Sequence, residues 1–208
     1  MNTPATALIV VDVQRDFMTG GALAVPLPGQ DLPAAETILP PINDLMANGG
    51  YARVVLTQDF HPEIHCSFAA VLGAPLFAMA KTKAGRDQVA WPVHCVQGTD
   101  GADFHPGLYT RFADLIIRKG VRAEFDSYSG FADDGGGLTG LAGYLKANGI
   151  EAVDVVGIAT DYCVKATAID AVKAGFLTRV LTHPCAGVAK DTIAAALADM
   201  AKAGVTIV

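Results

Sequence analysis

Six short aliphatic runs, at 7–13, 53–57, 115–118, 153–157, 178–182 and 205–208, punctuate this chain, and each is rich in Val, Ile or Leu with little polar alternation. A run of that kind predicts a strand buried on both faces. Between them the spacing of apolar residues predicts helices over 32–48, 137–148, 161–174 and 191–203, with Gly49, Gly149, Gly175 and Gly204 closing them. Strands and helices that alternate in this way predict an α/β fold, a doubly wound three-layer sandwich around a six-stranded, mainly parallel sheet. Ligands then bind beyond the C-terminal ends of the strands, where the strand order reverses.

One segment breaks the alternation. Residues 59–106 are rich in His, Pro and Gly and show only a weak helical stretch near 69–80, which predicts a long functional loop inserted into a single domain of residues 1–208. At 208 residues, 51% hydrophobic and 17% charged, the chain has a large core under a modest polar shell. A net charge of −6 argues against nucleic acid or an anionic membrane as partner and favours a small molecule. The apolar run at 7–11 is cut by Asp12, too short for a signal segment and far short of the roughly 18 residues of a membrane span, so a cytoplasmic protein is expected. Cys66, Cys95, Cys163 and Cys185 lack metal-finger or disulfide-framework spacing, and Gly135-Gly136-Gly137 lacks the lysine of a phosphate loop. The aliphatic surplus leaves room for a homo-oligomer.

Reactive side chains cluster at the predicted strand ends. Asp12 interrupts the first run, Asp59 and His61 follow the second, Lys119 the third and Cys163 the fourth. Thr160 or Asp161 is placed to cap the fourth strand's helix, which puts Cys163 in a first helical turn where the helix dipole and Lys119 favour a thiolate. Asp12 could take the thiol proton and return it to a leaving group. In Asp59-Phe60-His61 the two ligand-type side chains share one side of an extended segment; with His94 they suit zinc, iron or manganese. His65 is left open as a further ligand, and His105 and His183, each before a proline, are read as structural. Phe17, Trp91, Tyr128 and Tyr162 lie near the same edge and could wall an apolar slot.

The blocks Val11-Asp12-Val13-Gln14-Arg15-Asp16-Phe17, Gln58-Asp59-Phe60-His61-Pro62, Trp91-Pro92-Val93-His94-Cys95-Val96, Arg118-Lys119-Gly120 and Gly157-Ile158-Ala159-Thr160-Asp161-Tyr162-Cys163-Val164 resemble, in order, those of the nicotinamidases in the isochorismatase-like cysteine hydrolase superfamily. The resemblance implies a Rossmann-like hydrolase fold and the conversion of nicotinamide to nicotinate and ammonia, in NAD salvage, with pyrazinamide also accepted. It implies Cys163 as nucleophile, Asp12 as proton shuttle, Lys119 as charge balance, and Asp59, His61 and His94 as ligands of one divalent metal. The Ile158–Ala159 peptide matches a bond that is cis in family members, so that the N–H groups of Ala159 and Cys163 form an oxyanion hole, with Ile158 counted on the substrate side. Phe60 departs from the family, where tryptophan often follows the metal aspartate. The alternative readings are a related amidohydrolase acting on another carboxamide or ureido compound, and a non-catalytic small-molecule-binding module.

Overall fold

The computed structural model describes residues 4–208. Its strands are β1 (Thr6–Val11), β2 (Arg53–Asp59), β3 (Met79–Lys81), β4 (Asp87–Val89), β5 (Leu115–Lys119), β6 (Ala152–Ile158), β7 (Leu177–Ala186) and β8 (Thr206–Ile207). Its α-helices are α1 (Leu39–Asn48), α2 (Ala69–Leu72), α3 (Leu141–Ala147), α4 (Lys165–Lys173) and α5 (Lys190–Lys202). Six strands form one sheet in the order β5-β2-β1-β6-β7-β8, every neighbour pair parallel.

The apolar runs become strands because both sheet faces are covered. Along β1, Leu8 and Val10 pack into one layer with Leu39, Ile42 and Met46 of α1, while Ala7, Ile9 and Val11 face Leu141 and Leu145 of α3, Ala168 and Ala171 of α4, and Met200 of α5. No polar face is needed, so no alternation shows in the sequence. The chain leaves β1 for β2 and β5 on one side, then crosses to β6 on the other. The order therefore reverses between β1 and β6, and the crevice beyond their C-terminal ends is the natural binding place. Gly157 lets these two strands meet: its φ is +114°, and a Cβ there would stand 2.2 Å from the Val11 carbonyl oxygen.

Several predicted elements need correcting. The helix expected from residue 32 begins at Leu39, after a 3₁₀ turn at Ala35–Ile38. Pro40 and Pro41 explain this, since proline lacks the N–H an interior helical position needs and fits only the first turn. The helix expected over 137–148 covers only Leu141–Ala147, and the one over 161–174 starts as a π-helical turn, Thr160–Val164, before α4. The weak helix near 69–80 is one turn, α2, followed by the antiparallel hairpin β3–β4. The strand expected over 178–182 extends from Leu177 to Ala186, and a shift in pairing with β6 between Val155 and Gly157 accommodates its length. Among the described residues no helix is long and apolar enough to cross a membrane.

Candidate active site

Asp12 follows β1 with φ of +48°, a left-handed conformation that costs a non-glycine residue about 1–3 kcal/mol and needs support. Thr57 of β2 supplies it: the Asp12 N–H donates to Thr57 Oγ1 at 3.2 Å, and the Thr57 hydroxyl donates to Asp12 Oδ1 at 2.6 Å. Lys119, at the end of β5, is 1% exposed. Its three N–H bonds go to Asp59 Oδ1 (2.5 Å), the Ser127 carbonyl (2.9 Å) and Cys163 Sγ (3.3 Å). Asp12 Oδ2 forms an ion pair with the same ammonium at 2.9 Å and, among the described residues, accepts no hydrogen bond. One buried carboxylate oxygen is therefore free to take a proton.

The protonation directions follow from this packing. Burial pushes Asp12 up to about 6, with Lys119 opposing the rise. Burial would raise Asp59 as well, but Lys119 and His61 hold it well below the usual carboxylate range. Against burial, Asp12 and Asp59 hold Lys119 firmly protonated. Burial drives the Cys163 thiol well above its ordinary value, and Lys119 offsets this only in part. The expected first helical turn is a π-helical turn, and burial opposes the thiolate that Lys119 favours, since that one ammonium is already shared by two carboxylates. Nor does either predicted residue cap that turn. Asp161 instead accepts from the Val188 N–H at 3.0 Å and the Thr192 hydroxyl at 2.5 Å, tying the turn to the start of α5.

Asp59, His61 and His94 come together, each buried, with one ligand-type atom apiece mutually within 4.8 Å. Phe60, between the first two, turns the other way under the Arg118 guanidinium, 4.0 Å from its ring centre. The His61 Nδ1–H donates to the Gly120 carbonyl at 2.9 Å and the His94 Nδ1–H to the Pro92 carbonyl at 2.7 Å. Carbonyls only accept, so Nδ1 carries a proton in each ring and Nε2 is the nitrogen left to act as a ligand in the neutral form. Asp59 Oδ2 faces His61 Nε2 at 3.6 Å. A buried carboxylate and two oriented imidazoles of this kind fit a divalent transition metal. His65 is different. It stacks on His61 at 4.0 Å, and both its nitrogens are engaged, Nδ1 with the Ser67 hydroxyl (2.7 Å) and Nε2 with the Phe125 carbonyl (3.2 Å).

Gly120 decides where His61 sits, because a Cβ on it would meet the His61 ring at 2.3 Å and its φ is +63°. Gly120→Ala should therefore displace the ring and weaken zinc binding by about 10–100-fold, as outer-shell changes do, measured by competition with a chelator. Unchanged affinity in a folded variant would refute this role for Gly120.

An apolar slot opens above these groups. Phe17, Trp91, Tyr128 and Tyr162 line it, as do Ala159 and Cys163, and the Ile158–Ala159 peptide beneath is cis. Trp91 and Tyr162 meet edge to face at 4.9 Å, and the Trp91 Nε1–H donates to the Tyr128 hydroxyl at 2.9 Å. Ile158 is not among the residues that line the slot and packs in the core instead. The structure adds Leu23, Val25, Ser67, Asp126 and Val188 to the wall, which no strand-end argument indicated. Their segments arrive through loops whose paths the sequence pattern does not encode. His105 accepts from the Gly107 N–H at 3.1 Å, away from the slot.

The chain belongs to the isochorismatase family: the model of the Isochorismatase domain matches residues 6–208. Within that family it is 50% identical to the nicotinamidase of Acinetobacter baylyi over 181 residues, 86% of this chain and 80% of that protein. Among solved structures, PnC1 from L. infantum in complex with nicotinate is 39% identical with a TM-score of 0.84, covering 100% of this chain and 94% of that one. The pyrazinamidase of Pyrococcus horikoshii in complex with zinc is 39% identical with a TM-score of 0.78, covering 99% of each chain.

Proposed function

We propose that this protein hydrolyses the carboxamide of nicotinamide, giving nicotinate and ammonia, through a thioester on Cys163. The observation that carries this reading is the pairing of Cys163, Lys119 and a carboxylate with one free oxygen beside a buried Asp59/His61/His94 group. The relatives named nicotinamidase and the related complexes with nicotinate and zinc support it. A divalent metal, zinc, iron or manganese, held by Asp59, His61 and His94 would supply a Lewis-acidic centre for the lone pair of the pyridine nitrogen.

The chain's own residues do the rest. The slot lined by Phe17, Trp91, Tyr128 and Tyr162 receives the flat ring and excludes water from it, which places the carboxamide carbon over Cys163. Asp12 Oδ2 takes the thiol proton as Sγ bonds to that carbon, and the carbonyl oxygen gains negative charge. The Ala159 and Cys163 N–H groups donate to that oxygen, while Lys119 balances the charge held by Asp12 and Asp59. Asp12 returns its proton to the amide nitrogen as the C–N bond breaks, releasing ammonia. It then accepts a proton from the water that cleaves the thioester, so nicotinate leaves and the thiol is restored. Pyrazinamide, which also offers a ring nitrogen meta to its carboxamide, is turned over by the same steps, and the nicotinate made from nicotinamide serves NAD salvage in the cytoplasm.

Ammonia release from nicotinamide by metal-loaded protein tests this directly. The account expects turnover that chelation abolishes. It also expects kcat/KM to fall as the pH drops through about 6, because Asp12 works as a base only when ionised and its carboxyl is raised to about 6. No ammonia from nicotinamide, with ammonia from a ureido compound instead, would favour the related amidohydrolase.

A further inference from the structure

We propose that Gln14 is a positioning residue that sets the register of Asp59 and, through it, the geometry of the metal group; the inference rests on the ligand assignment above. Gln14 is fully buried, two residues beyond Asp12. Strand β1 pairs with β2 only as far as Val10 opposite Leu56, so the last residues of β2 lose their strand partner on that side. The Gln14 side chain takes the place of the missing peptide. The Asp59 N–H donates to Gln14 Oε1 at 2.8 Å, and Gln14 Nε2 donates to the Asp59 carbonyl at 2.8 Å and to the Ala102 carbonyl at 2.8 Å. Its amide orientation follows from these partners, because a flipped group would set Oε1 against two carbonyls.

This clamp matters because Asp59 serves two sides at once. Its Oδ1 meets Lys119 at 2.5 Å while its Oδ2 faces His61 Nε2 at 3.6 Å. The far edge of Asp59 pairs with Lys119 of β5. Gln14 holds the near edge, so the backbone is fixed from both sides and the carboxylate cannot turn toward one partner without losing the other.

Gln58 provides the control. Its Nε2 also donates to the Ala102 carbonyl at 2.8 Å, and its Oε1 accepts from Arg118 Nε at 3.1 Å, but its side chain makes no hydrogen bond to Asp59. Removing it takes away a comparable buried hydrogen bond and leaves the clamp in place.

The experiment compares Gln14→Met with Gln58→Met, reading zinc affinity by chelator competition and the visible absorption of cobalt(II) titrated into the metal-free protein. Gln14→Met should bind zinc about 10–100-fold more weakly and show an altered cobalt spectrum; Gln58→Met should match wild type in both. Should Gln14→Met not accumulate as folded protein, Gln14→Asn, too short to span both Asp59 groups, is read in the same way. Folded Gln14 variants with wild-type zinc affinity, or an equal loss in Gln58→Met, would overturn the inference. Wild-type protein that binds neither zinc nor cobalt would instead overturn the ligand assignment on which it rests.

Discussion

Lys119→Met is expected to destabilise the protein by about 3–5 kcal/mol, the range found when one partner of a buried ion pair is removed, and to lower turnover about 10²–10⁴-fold. Methionine fills much of the same space, so packing is nearly kept and the effect is electrostatic. Without the ammonium, Asp12 and Asp59 face each other with ligand-type atoms within 4.8 Å, and Asp12 loses its countercharge while Asp59 keeps His61. One of them must then hold a proton at neutral pH. Asp12, raised to about 6 even beside Lys119, is the one driven further up, so the base is protonated when it is needed. The sign of the pH dependence follows. In the variant the folded state binds more protons than the unfolded state, and its stability improves as pH falls through the raised carboxyl range. The stability gap between wild type and variant, from urea denaturation, should narrow from pH 8 to pH 5. A gap that widens on acidification would contradict this account of Lys119.

How much of this was legible beforehand differs by residue. Asp12, Lys119 and Cys163 could be placed together because each ends an aliphatic run, and parallel strands in one sheet present their C-terminal ends along one edge. Asp59 and His61 could be paired because side chains alternate in extended chain. The hairpin β3–β4 was not legible: strands of three residues, Met79–Lys81 and Asp87–Val89, carry no periodicity, and the hairpin is held instead by partners such as Asp126, which accepts from Gln88 Nε2 at 2.8 Å. Asp161 has the local signature of a helix cap, yet its partners lie at Val188 and Thr192, brought near only by the packing of α5 against the Cys163 turn. Gln14 gave no signal at all, since its partner Asp59 is 45 residues away. The opposing pulls on the Cys163 thiol are legible in the sequence only in part. Helix dipole and lysine can be read from sequence, whereas complete desolvation and the sharing of that lysine between two carboxylates cannot.

The second large effect concerns Cys163 itself. Cys163→Ala removes the only group the account assigns to bond carbon, so ammonia release should fall about 10³-fold or more. Stability should change far less, within about 1 kcal/mol, because the side chain is small and Lys119 keeps its bonds to Asp59 and to the Ser127 carbonyl. Zinc affinity should stay at the wild-type level, since Cys163 is outside the Asp59/His61/His94 group. A folded, metal-binding and inactive variant would separate the chemistry of the thiol from the integrity of the site.

The most direct measurement is acid quench of wild-type protein during turnover of nicotinamide, followed by mass analysis of the peptide bearing Cys163, with ammonia release by Cys163→Ala assayed alongside. The account predicts a nicotinoyl group on Cys163 in the wild type and no measurable ammonia from the variant. Ammonia released by folded, metal-loaded Cys163→Ala at the wild-type rate would contradict it.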